Sequence, residues 1–321
     1  MRPTLDELRV AARIVHAVMP PTPQIRWPLL EQSLGAELWL KHENHTPLGA
    51  FKIRGGLVYF ERLAAREGAL PGVVSATRGN HGQSVGFAAR RHGIAAAVFV
   101  PHGNSREKNA AMRAQGVELI ETGEDFQAAR EAAIAFAAER RWHLVPSFHR
   151  DLVEGVASYA LELFDAAGPL DAVYVPIGLG SGACGVIAAR DALGLATEVV
   201  GVVSAGAPAY ALSLAAGKPV SHPVTTELAD GMACRTPEPA ALEILARGLA
   251  RVVTVDDAQI EHTMRVLFEA THQVAEGAGA AALAASFAER DRFAGRRVAA
   301  VLTGGNIDRP RYARILAQEG A

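Results

Sequence analysis

One lysine in this chain has neighbours that suit it for nucleophilic chemistry. Lys52 follows Phe51 within residues 48–56, Leu-Gly-Ala-Phe-Lys-Ile-Arg-Gly-Gly, near the start of a predicted helix. A desolvated lysine loses its proton more readily, and its free amine can then form a Schiff base with a carbonyl compound. Most lysines in helices are solvated surface residues, so this stretch alone only suggests such a site.

A second polar stretch, residues 75–83, lies between a predicted strand and a predicted helix. Thr77, Asn80, His81 and Gln83 provide four hydrogen-bonding side chains within seven residues. Backbone N–H groups at the start of a helix attract a carboxylate or a phosphate. The stretch therefore predicts an anion-binding loop, although an ordinary capped turn would explain some of the same residues.

Glycines alternate with other residues in the third stretch, 176–183, Pro-Ile-Gly-Leu-Gly-Ser-Gly-Ala, which follows an apolar strand. Such a loop lets backbone N–H groups close around a phosphate. Gly180, Gly182 and Gly185 also match the dinucleotide pattern, which requires an acidic residue about 20 positions later. The next strand ends at residues 204–206, Ser-Ala-Gly, without that acid. A nucleotide-dependent oxidoreductase is therefore the weaker alternative.

A fourth stretch, residues 302–306, Leu-Thr-Gly-Gly-Asn, ends the last predicted strand. Glycines at this position allow the backbone to approach a ligand closely, although an ordinary tight turn has the same composition. Together the four stretches supply an amine, a phosphate loop, a carboxylate-binding loop and a strand-end hydroxyl. That set suits pyridoxal 5′-phosphate and an amino acid. A non-catalytic small-molecule binder is the alternative from another functional class.

The composition argues against several classes of protein. The chain has 321 residues, 50% of them hydrophobic, with a net charge of -2. This content is enough for a packed core and predicts no nucleic-acid or membrane surface. No apolar run is long enough to cross a membrane, and the N-terminus lacks the apolar core of a signal peptide. Two isolated cysteines, Cys184 and Cys234, are typical of a reduced, cytoplasmic protein.

Strands and helices alternate along most of the chain, which favours parallel β-α units. In open α/β sheets ligands bind at the carboxyl ends of strands, where the candidate stretches lie. We predict two interleaved, open, twisted, mostly parallel sheets flanked by helices. The large domain comprises residues 1–71 and 149–321, and the small mobile domain residues 72–148. Helices are predicted at residues 4–18, 54–67, 82–92, 107–115, 125–140, 152–166, 183–193, 208–216, 256–271 and 280–288. Strands are predicted at residues 37–41, 73–76, 95–100, 117–122, 143–145, 172–176, 198–204, 252–255 and 297–302.

The order of the motifs resembles the fold-type II (tryptophan synthase β-like) pyridoxal-phosphate enzymes, and among them the threonine/serine dehydratases. Phe-Lys-x-Arg-Gly, Gly-Asn-His-Gly-Gln, the glycine-rich loop and Thr-Gly-Gly-Asn occur in that order, over residues 41–306. The resemblance implies a lyase that converts a β-hydroxy-α-amino acid into a 2-oxo acid and ammonia. Threonine or serine is the expected substrate, and a 3-aryl-serine such as phenylserine, or hydroxyaspartate, is also open. β-Replacement and racemase activity are alternatives within the same chemistry, and such enzymes are commonly dimers or tetramers.

The resemblance also implies roles for individual residues. Lys52 would hold the cofactor as a Schiff base and remove the α-proton of the substrate. Thr303 would face the pyridine nitrogen, and its neutral hydroxyl would favour elimination over transamination. The cofactor-binding positions correspond to Phe51, Lys52, Asn80, Gly178, Leu179, Gly180, Ser181, Gly182, Glu276 and Thr303. The substrate carboxylate would be received by Thr77, Asn80 and His81.

Arg78 departs from the family pattern, which usually has a small residue, often serine, before Gly79-Asn80. A serine there can act as the second base of a racemase, so Arg78 disfavours racemisation. Arg78 could instead bind a substrate carboxylate or the cofactor phosphate, or it could be an outward surface residue. The stretch 204–210 lacks the acids that form a cation site in some relatives. We therefore predict no metal.

Overall fold

The computed structural model describes residues 2–318, which form an α/β fold. The strands are β1 Gln24–Arg26, β2 Glu37–His42, β3 Val73–Ala76, β4 Ala96–Val100, β5 Glu118–Glu121, β6 His143–Leu144, β7 Ala172–Pro176, β8 Glu198–Ser204, β9 Arg251–Val255 and β10 Arg297–Leu302. The helices are α1 Leu5–His16, α2 Pro28–Leu34, α3 Lys52–Glu67, α4 Asn80–Arg91, α5 Arg106–Ala114, α6 Phe126–Arg140, α7 Arg150–Ala167, α8 Ser181–Ala192, α9 Ala209–Ala216, α10 Pro239–Gly248, α11 Asp257–Thr271, α12 Gly277–Ala288 and α13 Arg309–Leu316.

The strands form two sheets, as predicted. The large sheet has the order β1-β2-β10-β7-β8-β9 and is parallel except for β1. The small sheet has the order β5-β4-β3-β6 and is entirely parallel. Residues 73–144, called the small-sheet part below, interrupt the large-sheet part, which comprises the other described residues. The predicted fold class is confirmed, whereas the domain boundaries and the mobility of the small domain stay predictions.

The large sheet is buried on both faces, as expected for parallel strands covered by helices. Tyr174 and Val200 point into a core on the side of α11 and α12. Val173 and Val199, one residue earlier, point into a core on the side of α7 and α8. This alternation follows from the two-residue period of a strand. The centre of the sheet is therefore buried between two layers of helices.

Several helices begin two or three residues earlier than the sequence predicts. The observed first residues are Lys52, Asn80, Ser181 and Gly277, in α3, α4, α8 and α12. Each of these starts lies in a glycine-containing stretch, which the prediction treated as loop. As a consequence the candidate side chains lie on the first turns of helices, where free N–H groups face the ligand edge.

Four elements were missed by the sequence prediction: β1, α2, α10 and α13. β1 is a three-residue antiparallel edge strand that pairs Gln24 with Lys41 of β2. The three helices each carry a proline in the first turn, at Pro28, Pro239 and Pro310. Proline is tolerated there because the first N–H groups of a helix have no intrahelical acceptor. In each of these three helices the proline lies in the first turn and marks the start of the helix.

Candidate active site

The start of α3 is bound to the carboxyl end of β10. The backbone N–H of Phe51 donates to the carbonyl of Thr303 over 3.0 Å, and Ala50 forms an isolated bridge with Gly304. The N–H of Gly305 donates to the carbonyl of Gly49 over 2.9 Å. These bonds bring the Lys52 stretch and the Thr-Gly-Gly stretch together, as the sequence predicts.

The amine of Lys52 lies beside the first residue of α8. Its Nζ donates to Oγ of Ser181 over 3.2 Å and lies 5.0 Å from the centroid of the Phe51 ring. The residue as a whole is partly exposed, but burial of the ammonium group lowers the pKa of Lys52 to about 8. The amine is therefore unprotonated far more often near neutral pH than that of an ordinary lysine, as a nucleophile requires.

The titration of Lys52 can be measured directly. Only the neutral amine reacts with an acylating reagent, so acylation of cofactor-free protein should rise with pH and reach half its maximum rate near pH 8. The reaction is followed by mass spectrometry of the peptide that contains Lys52. A midpoint near the ordinary lysine value of about 10.4 would contradict the burial of this amine.

The glycine-rich loop wraps the start of α8. Gly180 has a φ of 99°, in the left-handed region that favours glycine. A Cβ on Gly178 would lie 2.3 Å from the carbonyl oxygen of Gly231, so the close approach of these two backbones also requires glycine. The first turn of α8 has no intrahelical acceptor for its N–H groups, which makes this end an anion site. The loop thus has the features of a phosphate cradle beside Lys52.

Two buried tyrosines donate hydrogen bonds to backbone carbonyls of this stretch. The hydroxyl of Tyr210 donates to the carbonyl of Leu179 over 3.0 Å, and that of Tyr159 donates to the carbonyl of Gly182 over 3.1 Å. The ring of Tyr159 also packs edge-on against Phe51, with centroids 6.3 Å apart. The same residue therefore positions both the loop and the aromatic neighbour of Lys52. Neither tyrosine was predicted, because no local pattern marks a supporting hydroxyl.

The second stretch forms a tight turn into α4. Oγ1 of Thr77 accepts from the N–H of Gly79 over 3.1 Å. A Cβ on Gly79 would lie 2.7 Å from Cδ of Lys108, and one on Gly82 would lie 2.6 Å from Cγ2 of Thr77. The glycines are therefore required by packing, and they bring the start of α4 close to a neighbouring lysine of α5.

His81 and Arg78 differ sharply in their surroundings. Nε2 of His81 is buried and has no hydrogen-bond partner within the described residues. Burial, together with the charge of Lys52, lowers the pKa of His81 to about 3, so the imidazole is neutral at physiological pH. Arg78 is exposed, and its guanidinium makes neither a salt bridge nor a hydrogen bond with residues 2–318. A role for Arg78 toward a ligand stays a prediction.

Asn80 belongs to a chain of polar contacts. Its Nδ2 donates to Oε1 of Glu276 over 2.7 Å, and its Oδ1 accepts from Nδ2 of Asn306 over 2.8 Å. Oε2 of Glu276 lies 3.2 Å from Nζ of Lys108, which also donates to Oδ2 of Asp230 over 2.6 Å. Neither Lys108 nor Asp230 was among the residues predicted from the sequence. Lys108 lies within an ordinary helical pattern that predicts a solvated side chain.

Burial and neighbouring charges shift the pKa values of the groups in this series of polar contacts in opposite directions. Burial raises the pKa of Glu276, and the ammonium of Lys108 only partly offsets it. For Lys108 the reverse holds: burial opposes the charged form, but the carboxylates of Glu276 and Asp230 raise its pKa overall. Lys108 therefore stays cationic between two carboxyl groups.

Thr303 is buried at the end of β10, near the start of α12. Its hydroxyl donates to the carbonyl of Ala278 over 3.3 Å. The N–H of Glu276 donates to the carbonyl of Gly304 over 3.0 Å, and a Cβ on Gly304 would lie 2.6 Å from Oε1 of Glu276. Glu276 therefore lies beside Gly304, the residue that follows Thr303.

The arrangement fits pyridoxal phosphate. An anion-binding helix start lies next to a buried amine of lowered pKa, and Nε2 of His81 is buried without a hydrogen-bond partner in the described chain. Unpaired buried polar atoms of this kind are expected where a ligand supplies the partner. Within residues 2–318 there is no group of three or more His, Cys, Asp or Glu side chains suited to a metal ion.

Comparison with known proteins points in the same direction. A family model described as pyridoxal-phosphate dependent enzyme matches residues 17–304. The L-threonine ammonia-lyase of Geobacter sulfurreducens is 36% identical over 86% of this chain and 69% of its own. The L-threo-3-hydroxyaspartate ammonia-lyase of Saccharomyces cerevisiae is 26% identical over 98% of this chain and 97% of its own. A solved threonine deaminase from T.th. superposes with a TM-score of 0.88 at 32% identity, covering 95% of this chain and 99% of that one.

Proposed function

The chain belongs to the pyridoxal-phosphate-dependent enzyme family, and from this premise we propose that it is an ammonia-lyase for L-threonine, L-serine or a related β-hydroxy-α-amino acid. The products are a 2-oxo acid and ammonia. The observation that carries the proposal is the amine of Lys52, which lies 3.2 Å from the first residue of α8. An amine of lowered pKa beside a helix start suited to an anion supports this function.

Pyridoxal phosphate, when bound, supplies an aldehyde that condenses with amines and a ring that accepts electron density from the α-carbon. We assign Lys52 as the residue that binds the aldehyde carbon, and the first turn of α8 with Ser181 and Gly182 as the phosphate site. Asn80 and Glu276 lie on the ring side, together with the hydroxyl of Thr303. Phe51 is held by Tyr159 and lines the site next to Lys52.

The chain's own groups account for the proton transfer and the orientation of the substrate. Once the substrate amine had displaced it from the aldehyde carbon, the free amine of Lys52 would be the base for the α-proton, because its lowered pKa allows it to accept and return a proton near neutral pH. The start of α4, with Thr77, Asn80 and His81, receives the substrate carboxylate. His81 is neutral and therefore orients this carboxylate by hydrogen bonding and does not act as an acid.

Arg78 supports a second candidate substrate within the same reaction. Its guanidinium is exposed at the α4 turn, with no acidic partner among the described residues. A substrate with a second carboxylate could pair with it bidentately. The yeast relative is named for such a substrate, L-threo-3-hydroxyaspartate. We therefore include hydroxyaspartate beside threonine, serine and phenylserine.

The proposal is tested by measuring products from these four amino acids with cofactor-loaded protein. We expect ammonia and the matching 2-oxo acid in equal amounts from at least one of them, and none from protein without cofactor. A product that retains nitrogen and gains an added nucleophile would indicate β-replacement. Loss of optical activity without ammonia would indicate a racemase. Loaded protein that produces ammonia from none of the four would contradict the proposal.

We further propose that the enzyme acts as a cytoplasmic homo-oligomer, a dimer or tetramer, on small molecules and not on nucleic acid or membranes. Both cysteines, Cys184 and Cys234, are free and buried, which supports a reducing compartment. No helix among residues 2–318 is both long and apolar enough to cross a membrane. Light scattering on protein eluted from a size-exclusion column measures the oligomeric state.

A further inference from the structure

Lys108 belongs to the small-sheet part but pairs with carboxylates of the large-sheet part. Its Nζ lies 2.6 Å from Oδ2 of Asp230 and 3.2 Å from Oε2 of Glu276. The side chains of Lys108 and Glu276 are only 8% and 4% exposed, whereas that of Asp230 is 26% exposed. Removing one partner of an ion pair buried to this degree is costly, because the other charge is left buried without a partner.

The aliphatic part of Lys108 packs behind the turn that begins α4. Any other residue at position 79 would displace the Lys108 side chain, because a Cβ on Gly79 would lie 2.7 Å from Cδ of Lys108. The same turn carries Thr77, Asn80 and His81, to which we assign the substrate carboxylate. Lys108 thus contacts the substrate loop through its methylenes and Glu276 through its ammonium.

The polar contacts around Lys108 alternate between the two parts of the molecule. From one end to the other, these contacts join Asn306 to Asn80, Asn80 to Glu276, Glu276 to Lys108 and Lys108 to Asp230. Every contact joins a residue of one part to a residue of the other. The start of α5 makes two more such contacts, from Ser105 to Asp308 and from the N–H of Arg309 to Glu107. Lys108 is therefore one of several side chains through which the two parts contact each other.

We propose that Lys108 is a positioning residue that fixes the Thr77–His81 turn over Lys52 by pairing with Glu276 and Asp230. The inference rests on the proposed function, since it assigns the substrate carboxylate to this turn. Without Lys108 the two carboxyl groups would lose their shared counter-ion, and the turn would lose the side chain that supports Gly79. The turn would then reach its binding position at a free-energy cost, which weakens substrate binding more than cofactor binding.

The test compares Lys108→Met, which keeps the length of the side chain, with Lys218→Met, a change at an exposed lysine without a salt bridge in the described chain. We expect Lys108→Met to keep the visible absorbance band of the bound cofactor and to raise KM about tenfold. Hydrogen exchange in residues 77–91 should become faster. Lys218→Met should match the wild type in all three measurements. Equal KM values for the two variants would overturn the inference.

A double-mutant cycle with Glu276→Gln separates this role from a general loss of structure. If Lys108 acts by pairing with Glu276, the rise in KM on replacing Lys108 should shrink to about threefold or less once Glu276 is uncharged. The same fold-change in both backgrounds would contradict the pairing. Should Lys108→Met lose cooperative unfolding, Asp230→Asn carries the test, with an expected rise in KM of about threefold and an unchanged KM as the contrary result.

Failure of the proposed function gives a different pattern. Wild-type protein that binds no cofactor, or releases no ammonia from any substrate, would refute the proposed function independently of Lys108. An active wild type with an unaffected Lys108→Met variant would refute only the positioning role.

Discussion

Replacing Lys52 with alanine should lower kcat/KM by at least about a thousandfold. The change removes both the nucleophile that holds the cofactor and the base assigned to the α-proton, and no other amine replaces either function at this position. The variant should also lose the covalent adduct that borohydride reduction fixes on the Lys52 peptide. Product formation and mass spectrometry of the reduced protein measure the two effects.

Lys52→Arg provides a matched control. Arginine keeps the positive charge but stays protonated in proteins, so this variant should be as inactive as Lys52→Ala. Activity in Lys52→Arg would show that charge, and not the free amine, is what the reaction needs. A reduced adduct on Lys41 or Lys108 in Lys52→Ala would show that the assigned nucleophile is wrong.

Replacing Arg54 with methionine should destabilise the protein by about 3–5 kcal/mol. Arg54 is completely buried and binds Glu43 over 2.6 and 3.0 Å and Glu162 over 2.6 and 2.9 Å. It also donates to Oγ of Ser158 over 2.9 Å. The loss of Arg54 would leave Glu43 buried without a cationic partner, since Lys41 pairs with Glu162 and not with Glu43. The midpoint of denaturant-induced unfolding, with and without cofactor, measures the effect.

Arg66→Met in the same helix is the matched comparison. Arg66 pairs with Asp151 over 2.7 Å, but its side chain is 45% exposed, so the expected loss is at most about 1 kcal/mol. Equal losses for Arg54→Met and Arg66→Met would contradict the view that burial gives the Arg54 network its weight. Arg54 is two residues from Lys52, so its replacement should also weaken retention of the cofactor.

The sequence was sufficient to predict the two parallel sheets, since strands and helices alternate with clear glycine and proline boundaries. It was also sufficient to identify Lys52, the loop at Gly178–Gly182 and Thr303 as candidates, because each lies in a local pattern with a chemical meaning. Lys108 and Asp230 lie outside any such pattern. Their pairing joins positions 122 residues apart, and only the folded chain brings them together.

Arg54 illustrates the same limit in another way. It lies within the predicted motif, but its partners Glu43 and Glu162 come from the residue after β2 and from α7. The motif therefore indicates where Arg54 is, and only the packing of three elements reveals that it is buried. Helix starts were misplaced for a local reason, because the polar and glycine-containing stretches just before residues 54, 82, 183 and 280 were treated as loops. In the structure Gly55 and Gly82 allow close packing in the first turns of α3 and α4, because a Cβ there would lie 2.8 Å from the carbonyl oxygen of Leu152 or 2.4 Å from Sδ of Met112.

The position of β10 between β2 and β7 has a consequence for how the protein is made. β2 and β7 do not pair with each other, so the large sheet stays in two pieces until residues 297–302 have left the ribosome. All strands of the small sheet lie within residues 73–144, so its strands can pair much earlier during translation. Lys52 acquires its neighbour Thr303 only at this last step. A nascent chain arrested before β10 should therefore contain a folded small sheet but capture no cofactor.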